Sequence, residues 1–108
     1  MAERAGRLAE AERGYEAALR CDGNHVATHR KLGLLLARSE RLAAAAGHFR
    51  AVIRLQPADA DAHANLGNVL LLGGQAREAM ACYEASLRLR PGDARTQENL
   101  RLARESLR

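Results

Sequence analysis

The chain has no tryptophan, one phenylalanine and two tyrosines among its 108 residues. A core with so few rings has to be assembled from Leu and Ala, which favours closely packed helices over a β-sheet. Only two prolines are present and the nine glycines form no tract, so neither a proline-rich linker nor a low-complexity segment is expected. Cysteine is limited to Cys21 and Cys82, without the paired spacing of a zinc site or a redox motif. Lone thiols of this kind read as small core residues of a reducing compartment, so a cytoplasmic protein is expected. No apolar run approaches the ~20 residues that span a bilayer. The opening Met1-Ala2-Glu3-Arg4-Ala5-Gly6-Arg7 has no hydrophobic signal core. Neither membrane insertion nor a membrane partner is expected.

What is present is 47% hydrophobic and 28% charged, the balance of one soluble globular domain. The net charge is +4, and Lys31 is the single lysine beside sixteen arginines. Six of the bases (Arg30, Lys31, Arg38, Arg41, Arg50 and Arg54) fall within residues 26–59, against Glu40 and Asp59. A nucleic-acid partner would call for aromatic rings interleaved with such bases. Those rings are missing, so no nucleic-acid binding is expected.

Internal repetition organises the whole chain. Sliding the sequence along itself lays 26–59 over 60–93 without a gap. His29 meets His63, Leu32-Gly33 meets Leu66-Gly67, and Leu36 meets Leu70. Ala45 meets Ala79, Phe49 meets Tyr83, Arg54-Leu55 meets Arg88-Leu89, and Pro57-x-Asp59 meets Pro91-x-Asp93. The same slide backwards places Ala11, Tyr15 and Ala18 under Ala45, Phe49 and Val52; forwards, it places Asn99-Leu100 under Asn65-Leu66. Within each unit apolar residues recur at helical spacing in two stretches. Arg38-Ser39-Glu40 and Gly73-Gly74 supply the turn between them. Pro57 and Pro91 end the second helix, and Asp59 and Asp93 are placed to cap the next one. Helices are predicted near 3–20, 26–38, 42–55, 60–72, 76–89 and 94–107, paired as antiparallel hairpins.

This pattern resembles the tetratricopeptide repeat, W-x2-L-G-x2-Y…A-x3-F…P on a 34-residue period. Residues 26–59 carry Leu32-Gly33, Ala45, Phe49 and Pro57; residues 60–93 carry Leu66-Gly67, Ala79, Tyr83 and Pro91. His29 and His63 stand in the tryptophan place, and Leu36 and Leu70 in the place of the first-helix tyrosine. The resemblance implies an all-α, right-handed superhelical solenoid of about six helices. It would be one domain, 1–108: an orphan second helix in 1–25, repeats at 26–59 and 60–93, and an orphan first or capping helix in 94–108. Leu32, Leu36, Phe49, Leu66, Leu70 and Tyr83 are expected inside. Gly33 and Gly67 would let the helices of a hairpin approach, and Phe49 and Tyr83 would fill the space between units.

No catalytic signature is present: no GxSxG, no phosphate-binding GxxxxGK[ST], no GxGxxG and no HExxH. His25 and His29 are four apart, but no third ligand accompanies them, so no metal is expected. No cofactor and no enzymatic activity are expected either. What remains is surface. In the resembled family the first helices line a concave face that holds a peptide or a partner helix. That implies a non-catalytic scaffold whose partner-binding residues are Arg30, Lys31, Leu34 and Arg38 from one helix. Asn65, Asn68 and Leu72 come from the next, and Arg95, Asn99 and Leu102 from the last. Ala27, Asp61, Ala64 and Glu98 fall on the same face by spacing. The bases favour an acidic peptide or protein. Arg30, Asn65 and Arg95 also match three of the five places of the family's carboxylate clamp, while Leu34 and Asn99 depart from it. The alternatives are an appendage or fragment of a larger enzyme or of a secretion or assembly protein, and a module that assembles with its own kind. In the last case Leu100 and Leu107 of one chain would stack end to end on Leu8, Tyr15 and Leu19 of another. Arg101, Arg104 and Arg108 would otherwise solvate that end.

Overall fold

The structure, a computed structural model, describes residues 2–108, with side chains from Gly6 onward. The helices are α1 (Ala2–Cys21), α2 (Val26–Arg38), α3 (Leu42–Leu55), α4 (Ala60–Leu72), α5 (Ala76–Leu89) and α6 (Ala94–Glu105). No strand occurs among the described residues. The expected helix positions hold, except that α6 ends two residues earlier, at Glu105. Each helix packs chiefly on its neighbours in sequence, and α4 also touches α6. The result is a stacked array of antiparallel hairpins: an all-α repeat solenoid.

The repeat is visible in the backbone at every turn. His25, Asp59 and Asp93 hold the same place in successive units and are the N-caps of α2, α4 and α6. Each side chain accepts a hydrogen bond from a free N–H in the first turn: Thr28, Ala62, and both Arg95 and Thr96. The loop entering each cap is closed by its own N–H, which donates to the carbonyl of Asp22, Gln56 or Arg90, three residues back. Helices α2 and α4 end alike. The N–H of Arg41 donates to Leu36 O and that of Gln75 to Leu70 O, the six-to-one bond of a left-handed helix stop. That stop needs a positive φ, and Glu40 (62°) and Gly74 (81°) supply it. Gly74 does so without strain; Glu40 does not.

The core follows the expected list. Leu32, Leu36, Phe49, Leu66, Leu70 and Tyr83 are all buried, together with Ala45, Val52, Ala79 and Ala103. Two expectations are adjusted. Phe49 and Tyr83 each stand on the glycine of their own hairpin, and Phe49 also faces Asn65, Asn68 and Val69 of the next unit across a shared hollow. A Cβ at Gly33 would lie 2.9 Å from the Phe49 ring, and one at Gly67 2.7 Å from the Tyr83 ring. The glycine therefore makes room for the ring of the facing helix.

The second correction concerns the ends. Leu100 is not exposed for stacking but buried in the core, and Tyr15 and Leu19 are half-buried against it. On α6, Arg101 stands where α2 and α4 have glycine. Its guanidinium pairs with Glu98 and, at 2.5 Å, with Glu105. Glu98 is thus committed to Arg101 and does not line the concave face. An ion-paired arginine covers the place where a further ring would sit, and only Leu102 and Leu107 leave sizeable apolar side chains exposed on this helix and its end.

Candidate interaction groove

Helices α2, α4 and α6 present successive faces to a shared hollow of about 750 Å³. Eight of the expected residues line it: Arg30, Leu34, Asp61, Ala64, Asn65, Asn68, Arg95 and Asn99. Arg90 and Asp93 line it too. Next to it lies a smaller hollow of about 240 Å³, lined by Leu34, Arg38, Leu72, Phe49 and Val69. Asn65 and Asn68 are shared by both, so the two hollows are one continuous trough. Lys31 and Arg38 line a third depression, with Tyr15 of α1. Leu102 is exposed on α6, outside the residues that line these hollows.

The trough has a polar end and an apolar end. At the apolar end Leu34 and Leu72 are 38% and 72% exposed, large values for leucines facing a concavity. At the polar end the charges divide into spent and unspent. Arg30 is hydrogen-bonded and ion-paired to Asp59, so it is less available to a ligand than its sequence position suggests. Burial alone would push the Asp59 carboxyl up. The Arg30 bond and the Ala62 N–H outweigh that and hold it below the ordinary value. Arg90 is paired with Asp61 at 2.9 Å. Lys31, Arg38 and Arg95 form no ion pair among the described residues; Arg38 and Arg95 line the trough together with Asp93, and Lys31 lines the depression beside it.

The amides at the centre are oriented by the protein. Tyr83 donates its hydroxyl to Asn68 Oδ1 at 2.7 Å, and Asn99 donates Nδ2–H to the same oxygen at 3.1 Å. Burial raises the Tyr83 hydroxyl to about 12, with the neighbouring Cys82 adding to it, so it remains a donor at any ordinary pH. With Oδ1 fixed as the acceptor of both bonds, Asn68 turns its NH2 group away from them as a free donor. Asn99 keeps its carbonyl oxygen as a free acceptor. Asn65 makes no side-chain hydrogen bond among the described residues. The trough therefore offers donors, an acceptor and cations beside an apolar seat.

Sequence reasoning missed three features here. The role of Tyr83 as an orienting donor was hidden because its position in the repeat is a core position, occupied by Phe49 in the other unit. Arg90 and the Asp59–Arg30 pair were hidden because each links residues far apart in sequence across a hairpin, a contact that periodicity does not mark. Elsewhere, His29 and His48 approach each other inside the first hairpin, a contact the sequence did not announce. Among the described residues no cluster of three or more His, Cys, Asp or Glu is placed to hold a metal, and no helix is long and apolar enough to cross a membrane.

The tetratricopeptide repeat family model matches residues 1–60 and again residues 30–94. No curated protein matches the chain. Among solved structures, one similar to it is described as the first TPR of Spaghetti (RPAP3) bound to the HSP90 peptide SRMEEVD. The likeness has a TM-score of 0.88 at 20% identity, over 96% of this chain and 82% of that one. Another similar structure is that of an O-GlcNAc transferase mutant of Thermobaculum terrenum, with a TM-score of 0.80 at 31% identity. That match takes in 94% of this chain but only 20% of the transferase chain, so the protein spans about a fifth of that relative's length.

Proposed function

The chain belongs to the tetratricopeptide repeat family, and from that premise we propose that it is a non-catalytic scaffold that holds an extended, acidic peptide segment of a partner protein in the trough between α2, α4 and α6. The observation that carries this reading is the central amide pair. Tyr83 and Asn99 both spend themselves on Asn68 Oδ1, which leaves Asn68 donors and an Asn99 acceptor free at the floor of a concave surface. A peptide backbone, with alternating carbonyl and N–H groups, satisfies such a pair; a ligand of one hydrogen-bonding sense would not. Lys31, Arg38 and Arg95 supply the preference for acidic side chains, and Leu34 and Leu72 an anchor for an apolar one. The Spaghetti structure, a TPR bound to the acidic peptide SRMEEVD, supports the class of ligand. It does not supply the binding mode, because the clamp places of this chain are incomplete and Arg30 is already paired.

Charge at the rim of such a groove acts mainly on association rate and salt dependence. The test is a pool of acidic heptapeptides with one apolar residue each, applied to the chain and to an Asn65→Ala/Arg95→Ala/Asn99→Ala variant. Retention of the acidic pool over a basic pool, weakened by salt and lost in the variant, is the expected result. Equal retention by the variant would move the site elsewhere. The likeness to a fifth of the transferase chain also supports a reading in which such a scaffold serves a larger catalytic protein. The groove would then recruit the partner on which that protein acts.

A further inference from the structure

Two histidines of the first hairpin form a pair that groove binding does not use. His29 on α2 is buried and His48 on α3 is half-buried. Their Nδ1 atoms are 3.1 Å apart, and the rings lie 5.3 Å apart at 38°. Hydrogen bonding fixes the protons. His29 Nε2 lies 2.8 Å from the carbonyl oxygen of Gly23, which can only accept, so Nε2 carries the hydrogen. A neutral imidazole has one N–H, which leaves His29 Nδ1 as an acceptor. The bond between the rings is therefore donated by His48 Nδ1–H.

The other repeats separate what is general from what is particular. At the places equivalent to His29, His63 donates to the Pro57 carbonyl at 2.9 Å and Gln97 to the Pro91 carbonyl at 2.8 Å. The bond back to the loop is thus common to all three units. The second bond, from ring to ring, is particular to the first hairpin, because Cys82 occupies the place equivalent to His48.

Each ring has one further place for a proton, His48 at Nε2 and His29 at Nδ1. A first proton on His48 Nε2 leaves the Nδ1–H···Nδ1 bond intact. A second can enter only at His29 Nδ1, and it replaces the acceptor by another N–H, so two cations and two donors face each other at 3.1 Å. Of the charged groups around the pair, Glu16 and Glu12 of α1 favour a charged His48, with Glu12 itself held by Arg41 at 2.5 Å. Burial and the His29 ring oppose them and prevail, keeping His48 below its ordinary value of 6.5. On α2, His25 is engaged by Thr28, and Arg30 by Asp59. On α4, His63 is turned to its own loop.

We propose that the His29–His48 bond is an acid-opened latch: it ties α2 to α3 within the first hairpin at neutral pH and parts when both rings are charged, while α4, α5 and α6 stay folded. Because the folded protein favours a neutral His48, the stability that ring contributes is complete above 6.5 and is lost as the pH falls from there through the lower folded-state value; the bond itself parts only with the second proton.

Two measurements on the full chain test the latch. Long-range 1H–15N spectra at about pH 7.5 should show His29 as the Nε2–H form and His48 as the Nδ1–H form. Finding His29 as the Nδ1–H form would overturn the proposal without any variant. Hydrogen exchange, corrected for intrinsic rate, should show protection in 22–55 falling severalfold more than in 76–105 between roughly pH 7.5 and 5. His29→Gln and His48→Cys copy the residues of the other units and should abolish that difference. An unchanged difference in His48→Cys would contradict the latch.

Discussion

The two complete hairpins, α2–α3 and α4–α5, follow one plan with different side chains, and their differences are more instructive than their agreement. Both rest an aromatic ring on a helix glycine. In the first the ring is Phe49, held only by packing; in the second it is Tyr83, whose hydroxyl reaches out of the core to set Asn68 in the groove. Both stop their first helix with a residue at positive φ, Glu40 in one and Gly74 in the other. Both bond the tryptophan-place side chain to the preceding loop, but only the first adds the His29–His48 bond. The second hairpin also buries Ser86, which donates to Ala60 O at 2.9 Å, where the first has Val52. The first hairpin thus spends its polar residues on an internal histidine pair, and the second on its own α4–α5 contact and on the groove.

This comparison can be broken most forcefully at the glycines. Gly67→Leu drives a side chain into a ring that packing and the Asn68 bond both hold, and should cost about 3 kcal/mol in chemical denaturation. Gly33→Leu faces a ring without that tether and should cost less, about 2 kcal/mol. Equal losses would show that the Tyr83 hydroxyl adds no restraint. Tyr83→Phe, which makes the second hairpin like the first, should lose about 1 kcal/mol by the same measurement. It should also weaken retention of the acidic peptide pool, because Asn68 is then free to turn over. The reverse change, Phe49→Tyr, should leave retention unaltered.

Capping offers a finer test. Asp59→Ala removes an N-cap and the partner of Arg30, and should lower stability by about 1 kcal/mol. Its carboxyl is held below the ordinary 3.8, so the contribution is present above that value and is lost as the pH falls through the lower folded-state value. In the variant, the acid limb of the stability curve should accordingly flatten. The smallest effect is expected at the helix stop. Glu40→Gly, which copies Gly74, should raise stability by roughly 0.5 kcal/mol through relief of the left-handed backbone. Gly74→Ala should lower it.

Much of this architecture was legible because the repeat is ungapped. Ala45 and Ala79, or Pro57 and Pro91, need only be counted to place every helix, and the caps at Asp59 and Asp93 follow from the chemistry of free helix N–H groups. Most residues that line the trough were legible for the same reason, since a face repeated once in every unit becomes a line along the solenoid; Lys31, Glu98 and Leu102, placed on it by the same count, lie outside it. Hidden were the contacts that cross that periodicity. Arg30 looked like a free ligand for an acid, yet its partner Asp59 sits at the far end of the hairpin, capping the next helix. Leu100 looked like an uncovered terminal residue, yet it turns inward, and Arg101 with Glu98 and Glu105 closes the face behind it. Local pattern shows which face of a helix is apolar, but pairing between side chains on different elements depends on distances that only the folded chain sets.

The central claim is that the line of Asn65, Asn68, Arg95 and Asn99 between α2, α4 and α6 is where a partner is held. Amide and side-chain NH2 shift mapping on the 15N-labelled full chain, titrated with the acidic heptapeptide best retained from the pool, tests it most directly. The account predicts the largest shifts at the side-chain amides of Asn65, Asn68 and Asn99, with smaller ones at Arg38 and Leu72. Shifts confined to the outer faces of α3 and α5, or to the end face of α6, would contradict it.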